Sequence, residues 1–220
     1  MIQDFLGINI NEPYNIITET ELFFLYGLIA SINPKTIVEL GAGKNGFSTQ
    51  VFLKGQKNNF GSRLYSIDIL DIEKRVESHY PIKKDCGDVT EDDLDNQKID
   101  VVFFDCHTMR PQLKFYNRMV EKNLIDDETI LILHDTNLLY EPEISRTIQL
   151  NGQIGVFTKD GYAHQWVERN LVNYFKLKGY DVYNLSTKSK NHNINYTKLF
   201  GLSVCQKFKP LTPIDLKYPE

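Results

Sequence analysis

Thirteen consecutive residues constrain this chain more than any others: Thr36-Ile37-Val38-Glu39-Leu40-Gly41-Ala42-Gly43-Lys44-Asn45-Gly46-Phe47-Ser48. The apolar start reads as a short buried β-strand, with Glu39 near its end, then a glycine-rich turn and the beginning of a helix. Glycines let the backbone turn tightly and approach a ligand, and a helix start offers N–H groups without intrahelical partners. Gly41-x-Gly43-x-x-Gly46 alone also suits a dinucleotide site or a chance loop. Glu39 narrows the choice, because a carboxylate just before the glycines can accept from an amino group or a hydroxyl of a ligand.

The rest of the chain arranges itself around that unit. Thr18 and Glu21 form a capping box, and Leu22, Leu25, Tyr26, Ile29 and Ile32 recur at helical spacing until Asn33-Pro34. Arg63 to Asp68 alternates as a second strand ending on Asp68, and a weaker third strand lies around Pro81 to Asp85, with a helix expected after Thr90. Ile99 to Phe104 and Thr129 to Leu133 are near-continuous apolar runs, as expected of central parallel strands buried on both faces. The first ends in Asp105-Cys106-His107 and the second in His134-Asp135-Thr136, and a helix is expected from about Pro111 to Asn123. Residues 137–160 show no clean period, so they are expected to be a lid, with Gly152, Gly155 and Gly161 letting it move. A helix is then expected from about Tyr162 to Leu177, a strand over Tyr180 to Leu185, and a last strand near Leu199 to Cys205.

These elements predict a single α/β domain over residues 1–220: a doubly wound, Rossmann-like, seven-stranded, mostly parallel sheet with helices on both faces. Residues 1–17 are expected to be an irregular arm and 210–220 a tail. A formal net charge of −4 argues against a nucleic-acid partner, and the lysines towards the C-terminus read as a solvated face. The three cysteines are widely spaced and form no zinc-type pair or disulfide framework, which suits a reducing cytoplasm. No basic stretch leads into an apolar core near the N-terminus, and no apolar run is long enough for a bilayer. The oligomeric state stays open, a homo-oligomer included.

Val38-Glu39-Leu40-Gly41-Ala42-Gly43 resembles the first motif of the class I S-adenosylmethionine (SAM)-dependent methyltransferases, and the likeness runs from about residue 18 to 206. Gly46-Phe47-Ser48 is similar to the small-molecule O-methyltransferases, where a Ser at this point helps hold the methionine carboxylate. The resemblance implies SAM as cofactor, with Glu39, Gly41, Gly43, Ser48, Asp68 and Asp88 as its binding residues. Asp68, at the end of strand two, is placed for ribose hydroxyls. Asp88 falls where the family's third motif accepts from the adenine amino group, or else caps a helix.

Two ways of activating an acceptor hydroxyl can be read from the strand ends. A histidine can take the proton, with His107, His134 and His164 as candidates near pKa ~6.5. Alternatively a divalent cation lowers the hydroxyl's pKa. Catechol-type and some sugar O-methyltransferases bind that cation with acids after strands four and five, positions matched by Asp105 and Asp135. Here His134 stands where the family has an acid, which suits a transition metal better than magnesium. Asp105-Cys106-His107-Thr108 lacks the Pro-Pro-Tyr type motif of nitrogen-methylating relatives. The expected activity is therefore methyl transfer to an oxygen of a small-molecule acceptor, such as a sugar or polyol. The alternatives are an NAD(P)-dependent oxidoreductase, a metal-dependent hydroxylase-like enzyme using Asp105, His107, His134 and Asp135, and a catalytically silent SAM-binding protein.

Overall fold

The computed structural model describes residues 17–44, 46–57, 59–136, 144–150, 153–158, 161–164, 167–185 and 201–208. Helix α1 (Glu19–Ile32) starts at the capping box: Thr18 Oγ1 accepts from Glu21 N at 3.2 Å, and Glu21 Oε2 accepts from Thr18 N at 2.7 Å. It stops at Asn33, whose left-handed backbone returns an N–H to Ile29 O. Strand β1 (Thr36–Leu40) follows, fully buried, and then α2 (Phe47–Gly55). Next come β2 (Arg63–Asp68), β3 (His79–Lys83), β4 (Val101–Phe104), α3 (Met109–Glu121) and β5 (Ile130–Leu133). The chain closes with β6 (Ile144–Leu150), β7 (Gln153–Thr158), β8 (Gly161–His164), α4 (Val167–Leu177), β9 (Asp181–Leu185) and β10 (Leu202–Gln206).

Seven strands form one sheet in the order β3-β2-β1-β4-β5-β10-β9. The pairings among β1 to β5 are parallel, and β10 runs antiparallel to both β5 and β9. Side chains alternate across the sheet and so make two cores. Ile37, Leu64, Val101, Phe103 and Ile132 pack with Leu22, Leu25 and Ile29 of α1 and Val51 and Phe52 of α2. Val38, Tyr65, Val102, Phe104 and Leu131 pack on the other side with Phe115 and Met119 of α3 and Leu171 and Phe175 of α4. The result is a Rossmann-like α/β sandwich of three layers. Among the described residues, no helix is long and apolar enough to cross a membrane.

The register puts the C-terminal ends of the parallel strands side by side: Leu40 lies opposite Ile67 and Phe104, and Phe104 opposite Leu133. The ladder continues just past these ends, with Asp105 N donating to Leu40 O at 2.8 Å and His134 N to Phe104 O at 3.1 Å. The residues that follow each strand are thereby held at one edge.

Four expectations change. The stretch that showed no period holds β6 and β7, which join β8 in a separate three-stranded antiparallel sheet, with a register irregularity between Ile144 and Arg146. Its remaining residues (137–143, 151–152 and 159–160) lie outside the described residues, as do the arm at 1–16 and the tail at 210–220. The expected helix from Tyr162 begins only at Val167, because Gly161 to His164 pair with β7. The third strand starts earlier, at His79, and the helix expected after Thr90 is a single 3₁₀ turn at Asp92–Leu94.

Candidate active site

The glycine loop is shaped by three left-handed glycines, of which Gly46 (φ +54°) leads into α2. Gly41 (φ +89°) turns the chain at the end of β1 and donates to Ile67 O at 2.8 Å. Gly43 (φ +62°) donates its N–H to Asp68 Oδ2 at 2.9 Å, while Asp68 Oδ1 accepts from Leu70 N at 2.9 Å. Asp68 therefore ties the loop after β2 to the loop after β1. Its carboxylate keeps lone pairs beyond those two bonds. A Cβ on Gly43 would meet nothing within 4 Å, so the loop faces open space there.

That space is a cavity of about 600 Å³. Ile17 and residues 41–44, 46–48, 67–69, 84–86 and 105–108 line it. Helix α2 points its N-terminus towards it, and no side chain among the described residues caps that end. Residues from the ends of β1, β2 and β4, and from the turn after β3, thus share one opening.

Glu39 lies just beneath and is wholly buried. On β1 it shares a face with Ile37, towards α2, and there it accepts from Ser48 Oγ at 2.5 Å, Thr49 Oγ1 at 2.7 Å and Ser66 Oγ at 2.6 Å. Burial raises its pKa, against the pull of those three hydroxyls. The structure so uses Glu39 to fix the loop-to-helix joint, and Ser48, which does line the cavity, turns its hydroxyl to Glu39.

Asp88 sits elsewhere. It ends a 3₁₀ turn capped by Asp85, whose side chain accepts from Gly87 N, and its own exposed carboxylate takes Lys114 Nζ at 2.9 Å. Lys84, Asp85 and Cys86 line the cavity in its place. The helix expected to need Asp88 as its cap is absent, which leaves the carboxylate free to face α3.

The ends of β4 and β5 bring titratable groups together. His134 is fully buried, with Nδ1 3.1 Å from Asp105 Oδ1 and 3.5 Å from Asp135 Oδ1. Its Nε2 faces Glu21 Oε2 across 3.7 Å, an ionic contact too long for a hydrogen bond. His107 Nε2 lies 3.7 Å from Asp105 Oδ1 and 3.8 Å from Asp135 Oδ2, and its Nδ1 is 3.3 Å from Glu168 Oε2. Glu168 is also buried, and accepts from His107 N at 2.9 Å and Gln112 Nε2 at 3.1 Å. Sequence reasoning missed Glu21 and Glu168 as members of this cluster. His164 belongs to β8, and its side chain is outside the described residues.

Four carboxylates face two imidazoles here, which governs the proton affinities. Burial works against charge on His107, but Glu168, Asp105 and Asp135 overcome it and lift its pKa to about 10. For His134 burial is again outweighed, by Asp135 and Asp105 and then Glu21, and its pKa rises. Burial lifts Asp135 to about 7 in spite of both imidazoles. Glu168 and Glu21 are held below the usual range: burial opposes this, and His107 and Gln112, or His134 and Thr18, prevail. Such a cluster holds its negative charge only next to positive charge. Donor atoms of Asp105, His134 and Asp135 lie within 4.8 Å of one another, a spacing that suits one cation.

No family model matches the sequence, and no curated protein matches it either. Solved structures do match. An O-methyltransferase from Bacillus cereus in complex with S-adenosylhomocysteine (SAH) aligns over 90% of this chain and 85% of its own, at 14% identity and a TM-score of 0.55. The chain has the fold of the class I SAM-dependent methyltransferases. A putative caffeoyl-CoA O-methyltransferase from Staphylococcus aureus aligns over 94% of this chain and 89% of its own, with 16% identity and a TM-score of 0.54. A putative O-methyltransferase from Klebsiella pneumoniae aligns over 93% and 86%, with 13% identity and a TM-score of 0.53. In class I methyltransferase terms, the cavity described above lies where the expected cofactor motif meets the ends of β2 and β4.

Proposed function

We propose that the chain is a doubly wound, SAM-dependent methyltransferase acting on an oxygen of a small molecule, with a sugar or polyol as the acceptor class. One observation carries this reading. The glycine loop braced by Asp68 and the acid–imidazole cluster open onto the same cavity, with Asp105 and His107 in its wall. SAM fits the donor side: Gly43 leaves room for backbone approach, Asp68 retains acceptor capacity, and the α2 N-terminus suits a carboxylate. The role of Asp88 at the adenine is taken by the Lys84–Cys86 turn in this proposal.

SAM, when bound, supplies an electrophilic methyl for in-line displacement. The residues of the chain must then orient the acceptor hydroxyl and accept its proton. His107, the cavity-lining imidazole, is held protonated by the carboxylates around it, so Asp105 in the same wall is the acceptor for the hydroxyl's proton. Glu168 fixes the His107 ring so that Nε2 faces the Asp105–Asp135 pair. A divalent cation, magnesium or a transition metal, also fits Asp105, His134 and Asp135. Asp135 Oδ1 is buried with no hydrogen-bond partner among the described residues, and the cluster carries excess negative charge. Such an ion would supply Lewis acidity towards a hydroxyl.

Calorimetric titration of the folded protein tests the donor. SAM and SAH should bind and raise the melting temperature, and NAD and NADP should not. A folded protein that binds neither SAM nor SAH refutes the reading, and stabilisation by NAD or NADP would move it to the oxidoreductases.

A further inference from the structure

We infer that the cluster is a transition-metal centre of two imidazoles and two carboxylates, in which His107 is a fourth ligand beside Asp105, His134 and Asp135, and the buried Glu21 and Glu168 orient the two rings. The inference deepens the cation-assisted form of the proposed function and rests on it.

The two histidines are arranged alike. Each presents one ring nitrogen to the Asp105–Asp135 pair and the other to a wholly buried glutamate. His134 turns Nδ1 to the aspartates at 3.1 and 3.5 Å and Nε2 to Glu21 at 3.7 Å. His107 turns Nε2 to the aspartates at 3.7 and 3.8 Å and Nδ1 to Glu168 at 3.3 Å. A carboxylate behind a histidine is the usual device for fixing the tautomer and direction of a metal-binding imidazole.

The glutamates are pinned in turn. Glu21 belongs to the α1 cap through Thr18 N, and Glu168 is held by His107 N and Gln112 Nε2. They come from helices on opposite faces of the sheet, so each ring is braced from its own side. The hydrogen bonding points inward as well: Asp135 Oδ1 is buried beside His134 Nδ1 and has no hydrogen-bond partner among the described residues. A centre with two imidazole donors departs from the all-oxygen shell that magnesium prefers and suits zinc, cobalt or another late first-row ion.

Cobalt(II) and copper(II) are the probes. Full-length protein is stripped with a chelator and titrated with Co²⁺, whose visible d–d bands should be those of an imidazole–carboxylate site. Zn²⁺ should displace it and millimolar Mg²⁺ should not. Pulsed electron paramagnetic resonance of the Cu²⁺-loaded wild-type protein should count two coupled imidazoles, a result that requires no variant to fold. His107→Gln should lose one of them, and Glu21→Gln and Glu168→Gln should each weaken Zn²⁺ binding by roughly 10–100-fold. A single coupled imidazole, a spectrum unchanged by His107→Gln, or displacement of Co²⁺ by Mg²⁺ overturns the proposal. SAM binding is measured separately on the metal-free protein. Its absence alongside a two-imidazole signal would sink the methyl-donor reading and leave the metal centre standing.

Discussion

Gly41→Ala should damage this protein several times more than Gly43→Ala, although both replace a left-handed glycine. A Cβ on Gly41 would lie 2.4 Å from Asp105 O, 2.6 Å from Asp105 C and 2.7 Å from Cys106 N. These are backbone atoms and cannot swing aside. Relieving the 2.4 Å contact to an ordinary 3.4 Å means parting the ends of β1 and β4 by about 1 Å. The Asp105 N to Leu40 O bond, now 2.8 Å, would then break. Left-handed strain of about 1–2 kcal/mol adds to about 1–3 kcal/mol for the buried bond, giving roughly 2–5 kcal/mol in all. At Gly43 the added methyl meets nothing within 4 Å, so strain alone remains, about 1–2 kcal/mol. Urea unfolding of both variants, at constant slope, measures the difference. Equal losses, within about 0.5 kcal/mol, would show that the two strand ends yield freely and refute the reasoning.

Asp68→Ala removes the acceptor for Gly43 N and Leu70 N, and should weaken SAM binding by about 1–3 kcal/mol in a calorimetric titration. Unchanged affinity would place the donor elsewhere. His79 is buried, its Nδ1 accepts from Arg75 N, and burial, then Arg75 and Lys74, hold its pKa down at about 4. The folded pKa lies below the unfolded ~6.5, so this contribution is present above pH ~6.5 and is lost as pH falls through the folded value. The loss amounts to about 3 kcal/mol at most, and stability profiles of wild type and His79→Asn should diverge over that window. Parallel profiles would remove His79 from the acid response.

The sheet was legible because each strand carries its own label. The runs ending at Leu40, Asp68, Phe104 and Leu133 are apolar or alternating, and an acid or an acid–imidazole pair sits at or near the end of each. Parallel strands buried on both faces leave little freedom in such a pattern. The small sheet was not legible from hydrophobic period, since β6 and β7 mix polar and apolar residues, although Asn151-Gly152 between them is a strong hairpin signal. Asp88, read as an adenine acceptor or else a helix cap, meets Lys114, and the helix it would have capped is one 3₁₀ turn. The two orienting glutamates were hidden for another reason: Glu168 meets His107 from 61 residues away. Its sign in the sequence is a charge on the apolar stripe of α4, three and four residues before Leu171 and Val172.

Glu21 belongs to two structures at once, the start of α1 and the surroundings of His134. A scan of every substitution in this chain should therefore rank Thr18 differently by abundance and by turnover. Scored for abundance, Thr18→Ala is an ordinary lost cap, worth about 1 kcal/mol. Scored for turnover, it should rank beside His134, because losing the Thr18 Oγ1 acceptor for Glu21 N loosens the first turn and with it the carboxylate behind that ring. A residue that meets the cluster through Glu21, away from both imidazoles, would then stand out as functional, and the map would trace the site back into the first turn of the first helix.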